Sequence, residues 1–457
     1  MQSAQQPALF SELRTTLDGR AIAPGDAGYD AARTLFYGGF DRRPALIVRA
    51  ANAADVARVV RFAREAGMEL AVRGGGHSLA GHSIVEGGIV LDLRDMKALA
   101  IDPERRTAWA EAGLTTGEYT QAANAYGLAT GFGDTASVGI GGITLGGGVG
   151  YLVRKYGLTI DNLLAADVVT ADGELRRVDA ETHPDLFWAI RGGGVNFGVV
   201  TRFQFRLHPV DRIVGGMLLL PATPNVIAGL VAAAEAAPEE LSAIINVMPA
   251  PPLPFVPAEH HGKLVVMALM AYAGDAEAGE RTIAPFRNLA TPIADLIRPL
   301  RYPELFPPEP EGYHPTAVGQ TLFVDTIDRG VAATILDYLA RSDAALRVTQ
   351  LRVLGGAMAR VPSDATAFAH RTRRIMVNVA AVYNDLEDRD RHAAWAADFA
   401  ATLHRGDAAA YVNFLVDAGP AQVRAAYPGA TWERLRAIKA RYDPTNLFRS
   451  NHNIPPA

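Results

Sequence analysis

His77 closes a run of three glycines, Gly74-Gly75-Gly76, and Ser78 follows it. Residues without side chains leave their amides exposed, and successive exposed N–H groups form a nest for an anion such as a pyrophosphate. Arg73 leads into this loop, so a cation, a phosphate cradle and an imidazole lie side by side. A tight turn carrying a surface histidine is the alternative. Downstream, nine of the twenty residues from 131 to 150 are glycine. A flexible linker is rich in Gly and Ser, whereas Gly139, Gly141, Gly142, Gly146, Gly147 and Gly150 are interleaved with Val, Ile and Leu. Backbone of this kind is expected to pack tightly against something flat or extended. Toward the C-terminus, Tyr411 and Asn413 share one face of an expected strand at 411–416. A phenol there is a candidate base, although its ordinary pKa of ~10 must be lowered for that work. A buried tyrosine with a satisfied hydroxyl is the alternative.

Other chemistries are missing. No G-x-G-x-x-G occurs: Gly74 and Gly76 are followed by Leu79 where the third glycine is due, and Gly139 and Gly141 by Thr144. A Gly-Lys-Ser/Thr phosphate loop and a His-Glu-x-x-His helix are also absent, which disfavours dinucleotide binding on a Rossmann loop, P-loop hydrolysis and a zincin site. The 457 residues include no cysteine, which excludes disulfides, thiolate metal sites and thiol nucleophiles; no metal is expected. With 44 Lys and Arg against 49 Asp and Glu, the net charge of −5 disfavours a nucleic-acid partner. The most apolar stretch, 217–237, is broken by Pro221, Pro224 and Asn225, and a membrane span needs ~20 apolar residues. The first ten residues lack a basic start and apolar core. The expectation is therefore a cytoplasmic enzyme with no membrane partner, its oligomeric state left open.

The elements that must position these residues fall into three parts. From 1 to 210 strand and helix patterns alternate: strands at 45–49, 69–73, 89–93 and 107–111, and helices capped by Asn52 and closed by Gly67, or running from Thr116 to a stop at Gly127. From 211 to 409 strand patterns at 215–220, 243–248, 263–270, 349–354 and 375–382 are separated by helices at 226–237 and 333–341 and by proline-rich loops. A final part, 410–457, carries a helix ending near Tyr442 and then Asp443-Pro444-Thr445-Asn446. The layout is α+β, and its length suits two or three domains.

Five segments in order carry a family resemblance: the Arg73–Ser78 loop, 138–162, 185–194 (Asp185 to Gly194), 198–201 around Val200, and 442–451. The chain resembles the berberine-bridge-enzyme-like group of FAD-linked oxidoreductases, of the vanillyl-alcohol-oxidase/p-cresol-methylhydroxylase fold. The resemblance implies a two-part FAD-binding domain, 1–210 completed by 410–457, and a substrate domain, 211–409, with an antiparallel sheet flanked by helices. It implies FAD bonded through His77 alone, because Thr135 stands where many relatives carry a second, cysteine link. Around the cofactor it places Arg73, Gly74, Gly75, Gly76, Ser78, Val138, Gly139, Gly141, Gly142, Gly146, Gly147, Gly150, Asn162, Val200, Asn446 and Asn451. Val138 occupies the position that guards the oxygen-facing side of the ring, and His452 stands where relatives often have glutamine. His82 lies off the motif and is expected to be a hydrogen-bonding loop residue. Tyr411 and Asn413 are the implied catalytic pair; Tyr383, His370 and Arg371 could also reach the pocket, with core packing or surface exposure the favoured reading of each. The implied activity is an oxidase that passes hydride from a small molecule, an alcohol, sugar or amine, to flavin N5 and on to O2. A dehydrogenase with another acceptor and a non-catalytic flavin protein are the alternatives.

Overall fold

The computed structural model describes residues 6–457 except 307, 308, 311, 405, 407 and 417. Strands Leu46–Arg49, Ile89–Asp92 and Leu70–Arg73 pair in parallel, and Arg20–Ile22 joins antiparallel at one edge. Strands that run the same way need a crossover, and helix Ala53–Glu65 carries the chain from Leu46–Arg49 to Leu70–Arg73, on either side of Ile89–Asp92. The Asn52 side chain caps that helix by accepting from the Ala54 and Asp55 N–H groups. A second, antiparallel sheet runs in the order Leu99–Asp102, Thr107–Glu111, Val199–Arg206, Leu163–Val169, Leu175–Asp179. Val59, Leu91 and Phe203 from these layers share one core with Tyr427, Leu435 and Phe448 from beyond residue 410.

Between Arg212 and Tyr383 the chain builds an eight-stranded antiparallel sheet. Its central order is Arg212–Pro221, Leu264–Tyr272, Leu241–Pro249, Leu346–Val353, Ile375–Tyr383, Thr316–Val324. Helices Pro224–Ala236, Ala276–Arg287, Arg329–Arg341 and Arg389–Leu403 bury Leu230, Phe286, Ile335 and Phe399 on one face, against Val247, Leu351 and Val377. The other face turns to the glycine-rich segment. There Ile244 packs with Tyr151, and Met376 and Phe323 pack with Val149 and Tyr411. This face and the glycine-rich segment are two walls packed toward each other.

One expected element is different. The strand at 411–416 is absent: Tyr411 is extended, but Val412–Phe414 is a 3₁₀ turn. The Phe414 N–H donates to the Tyr411 carbonyl instead of to a neighbouring strand. Tyr411, Val412 and Phe414 have strand-forming side chains, yet a strand needs an edge to pair with, and the backbone satisfies itself locally. No helix among the described residues is long and apolar enough to cross a membrane.

Candidate active site

Strand Leu70–Arg73 opens directly into the 74–78 loop, which meets the second glycine segment backbone to backbone. A Cβ on Gly75 would stand 2.2 Å from the Gly139 nitrogen, and a Cβ on Gly139 equally close to the Gly75 nitrogen. Only glycine permits this approach on both sides. The Thr116 N–H to the Val138 carbonyl (2.8 Å) and the Ile140 N–H to the Leu114 carbonyl (2.9 Å) fix the second segment from behind. His77 is thereby brought to Ser137, whose Oγ lies 2.9 Å from His77 Nε2, and its ring stacks on Phe36 at 4.0 Å. Burial pushes the His77 imidazole down to about 4, so the ring is neutral at neutral pH. Gly142, by contrast, has no atom within 4 Å of its Cβ direction and is exposed. That spot on the glycine wall is open.

Between the glycine segment and the sheet face, Tyr411 is fully buried and its hydroxyl oxygen accepts two hydrogen bonds, each of 2.9 Å. The donors are the Gly148 N–H and Asn413 Nδ2, and Asn413 Nδ2 also donates to the Ile143 carbonyl. Asn413 is held against Gly146, where a Cβ would stand 2.0 Å from Asn413 Oδ1. The expected pairing of Tyr411 with Asn413 therefore occurs, through a 3₁₀ turn and not through strand alternation. Burial raises the phenol above its ordinary pKa, and both hydrogen bonds and the Arg352 guanidinium oppose that rise. Arg352 is nearly buried itself; it donates to the Val149 carbonyl at 2.8 Å and pairs with Asp134 at 2.7 Å.

The C-terminal segment is tied down by a buried ion pair. Lys439 donates to Asp443 (2.7 Å) and to the Asn196 and Phe448 carbonyls, while Asp443 accepts from the Leu447 and Phe448 N–H groups. This clamp shapes the turn in which Asn446 takes a φ of 54°. The Oδ1 atoms of Asn446, Asn451 and Asn453 and Nε2 of His82 are buried without partners among the described residues. Buried polar groups in folded proteins are nearly always satisfied, so these atoms call for a ligand that brings donors. His82 and His452 meet edge to face at 4.6 Å, and burial lowers them to about 3 and about 4.

Several expected residues are engaged by other parts of the protein. Arg73 is fully buried, and its guanidinium binds the Ala32 and Ser83 carbonyls beside Asp92, 3.8 Å away. These bonds brace the loop from inside, and Nη2 stays buried without a partner among the described residues. Asn162 uses its amide on the Tyr156 and Leu158 carbonyls and on His208. Val200 is a core residue opposite Val168. Ser78 Oγ accepts from the His82 N–H, and Thr135 Oγ1 is 3.5 Å from Asp134 Oδ1. Gly147 and Gly150 lie against Tyr411 and Phe132, and Gly74 and Gly141 touch the Ala112 carbonyl. Arg371 clamps Asp161 with two bonds, His370 packs between Phe323 and Phe368, and Tyr383 stacks with His392 away from Tyr411. Sequence reasoning missed Phe36, Lys439, Asp134 and Arg352. Of these only the Lys439/Asp443 spacing, one helical turn just before Asn446, offered a local signal.

Comparison with known proteins agrees with this geometry. Residues 44–179 match the FAD binding domain family, and residues 410–455 match the family described as berberine and berberine like. The chain is 32% identical to (R)-6-hydroxynicotine oxidase of Paenarthrobacter nicotinovorans, over 98% of this chain and 99% of the other. It is equally, 32%, identical to an uncharacterised FAD-linked oxidoreductase of Bacillus subtilis over 97% and 99%. The crystal structure of 6-hydroxy-D-nicotine oxidase from Arthrobacter nicotinovorans superposes with a TM-score of 0.86 at 28% identity, covering 97% and 99%. A chitooligosaccharide oxidase shares the fold at a TM-score of 0.85 and 20% identity, covering 98% and 100%. The protein is an α+β FAD-dependent oxidoreductase of the vanillyl-alcohol-oxidase/p-cresol-methylhydroxylase fold, and it belongs to the berberine-bridge-enzyme-like FAD-linked oxidoreductases.

Proposed function

We propose that the protein is an FAD-dependent oxidase that takes hydride from a small molecule at a C–H alpha to an oxygen or nitrogen. One observation carries this reading: the Tyr411 hydroxyl oxygen is held by two N–H donors before any substrate arrives. If the phenol gives up its proton, both donors already stabilise the oxyanion, which offsets part of the cost of burial. Tyr411 is then the group that takes the substrate O–H or N–H proton at its Oη, and Asn413 keeps that oxygen in place. Bound FAD supplies the electron chemistry, accepting hydride at N5 and passing both electrons to O2 as hydrogen peroxide.

The chain's polar atoms fit FAD. The unpartnered oxygens of Asn446, Asn451 and Asn453 match a ligand rich in hydroxyl and amine donors, and the open face at Gly142 leaves room for it. Ser137 engages Nε2 of His77, so Nδ1 is the ring nitrogen left for a single covalent bond to the flavin. A neutral imidazole has the lone pair that such a bond requires. Val138, small and half-buried, supports access of O2. Residues 1–210 with 410–457 form the flavin domain in this reading, and 211–409 the substrate domain.

Acid precipitation tests the link: the pellet should stay yellow, and His77→Ala should release the colour to the supernatant. Photoreduction tests the acceptor. Reduced flavin in the purified protein should reoxidise in air within seconds to minutes with peroxide formed; a colourless protein persisting for hours under oxygen rules out the oxidase.

A further inference from the structure

The sheet face turned toward Tyr411 carries two cross-strand rows. Ile244, Arg352, Met376 and Phe323 stand directly opposite one another, and Met376 and Phe323 pack with Tyr411. Two residues farther along each strand, about 7 Å away, a second row crosses the same four strands. It consists of Asn246, Gln350, Asn378 and Thr321, again in direct register. Directly opposed residues share a face, so three carboxamides and a hydroxyl stand side by side on this face.

The row is preorganised and incompletely used. Gln350 Oε1 accepts from Arg352 Nε at 2.8 Å, and Gln350 Nε2 donates to Asn246 Oδ1 at 3.0 Å. These bonds fix which end of the amide points where and leave Gln350 one N–H for a ligand. The half-buried Asn378 amide has no hydrogen-bond partner among the described residues. Thr321 Oγ1 is buried, 9% exposed for the residue, and has none either. No member of the row is ionisable, and the one charge beside it, Arg352, is already paired with Asp134. A charged substrate group placed here would stay unpaired and pay heavily for its lost hydration. Hydroxyl groups, each both donor and acceptor, match amides and a threonine hydroxyl one for one.

We infer that this row recognises an uncharged, polyhydroxylated substrate, a sugar or sugar-like polyol, and presents one of its CH–OH carbons toward Tyr411. The inference rests on the oxidase reading and narrows it. The carbon gives up hydride and its hydroxyl a proton, the C–O single bond becomes C=O, and O2 with two electrons and two protons becomes hydrogen peroxide.

The test uses the FAD-loaded protein under anaerobic conditions, with D-glucose, D-xylose, cellobiose and sorbitol on one side and N-methylated secondary amines on the other. Binding is read as a perturbation of the oxidised flavin spectrum and turnover as bleaching. Polyols should perturb and bleach, and amines should do neither. Asn378→Ala should raise KM about tenfold while kcat changes less than threefold, the equivalent of losing one net hydrogen bond; the oxidised spectrum without substrate should stay unchanged. If Asn378→Ala does not fold, the isosteric Asn378→Asp serves, and should also weaken polyol binding. Bleaching by amines but not polyols, a panel in which no polyol perturbs the spectrum, or an unchanged KM in the variant overturns the inference. Failure of the oxidase reading looks different: polyols still perturb the spectrum, but photoreduced flavin persists in oxygen.

Discussion

The glycine wall and the sheet wall that faces it are built by opposite means. On the glycine wall, backbone meets backbone: Gly75 and Gly139 approach so closely that neither tolerates a Cβ. On the sheet wall, geometry comes from strand register, and the chemistry is entirely in side chains standing opposite each other at Asn246, Gln350, Asn378 and Thr321. The first wall is therefore intolerant of change and, in the proposed reading, is the one that holds the flavin. The second keeps its shape through the ladder of main-chain bonds, whatever side chains it bears. Substitutions on the glycine wall should damage folding or flavin binding, and those on the sheet wall should change selectivity.

The sharpest way to break this contrast is Gly139→Ala. Its methyl group meets the Gly75 backbone, which has no flexible side chain to move aside, so about 3 kcal/mol or more of stability should be lost. Thermal unfolding of the flavin-loaded protein measures it, and an unchanged midpoint contradicts the packing described here. Next in size is Tyr411→Phe, which keeps the ring and removes the proton acceptor; kcat should fall about 10²-fold or more with the fold intact. Gly142→Ala sharpens the comparison from the other side. With nothing within 4 Å of the added methyl, the stability of the flavin-free protein should change by less than about 0.5 kcal/mol, while the fraction of purified protein that carries flavin, read from the ratio of flavin to protein absorbance, should drop.

The two walls also differ in how far they could be read from sequence. Glycine density at 131–150 and the loop ending in His77 announced the first wall, because few constraints other than close approach or positive φ demand so much glycine. What it did not announce was the partner: several of these glycines lie against other protein atoms, Gly146 against Asn413 and Gly148 against Thr159, and fewer than expected face open space. Arg73 shows the same limit, since a cation beside a glycine loop suggests a phosphate and nothing local reveals that Ala32 and Ser83 also engage it. The pairing of Tyr411 with Asn413 was anticipated on the wrong backbone. The amide row was not legible at all. Its members are 246, 321, 350 and 378, and only strand order and register, set by contacts far apart in the chain, bring them together.

The smallest expected effect separates the walls by pH. Burial holds His82, His370 and His452 neutral on or near the flavin side, at about 3, about 4 and about 4, and lowers His208 likewise to about 4. An unfolded histidine titrates near ~6.5, so between that value and about 4 the unfolded chain binds more protons than the folded one. Stability is then fully present above about pH 6.5 and is lost as the pH falls toward 4. The unfolding midpoint should drop steadily through this window, and His82→Leu should make the slope shallower by removing one titrating group. The amide row carries no ionisable side chain, so the KM for its substrate should stay flat from pH 5 to 8 even as the midpoint falls. A KM that tracks the midpoint through the same window would mean that the sheet wall does not bind substrate independently of the histidines, and the division of labour between the two walls would have to be redrawn.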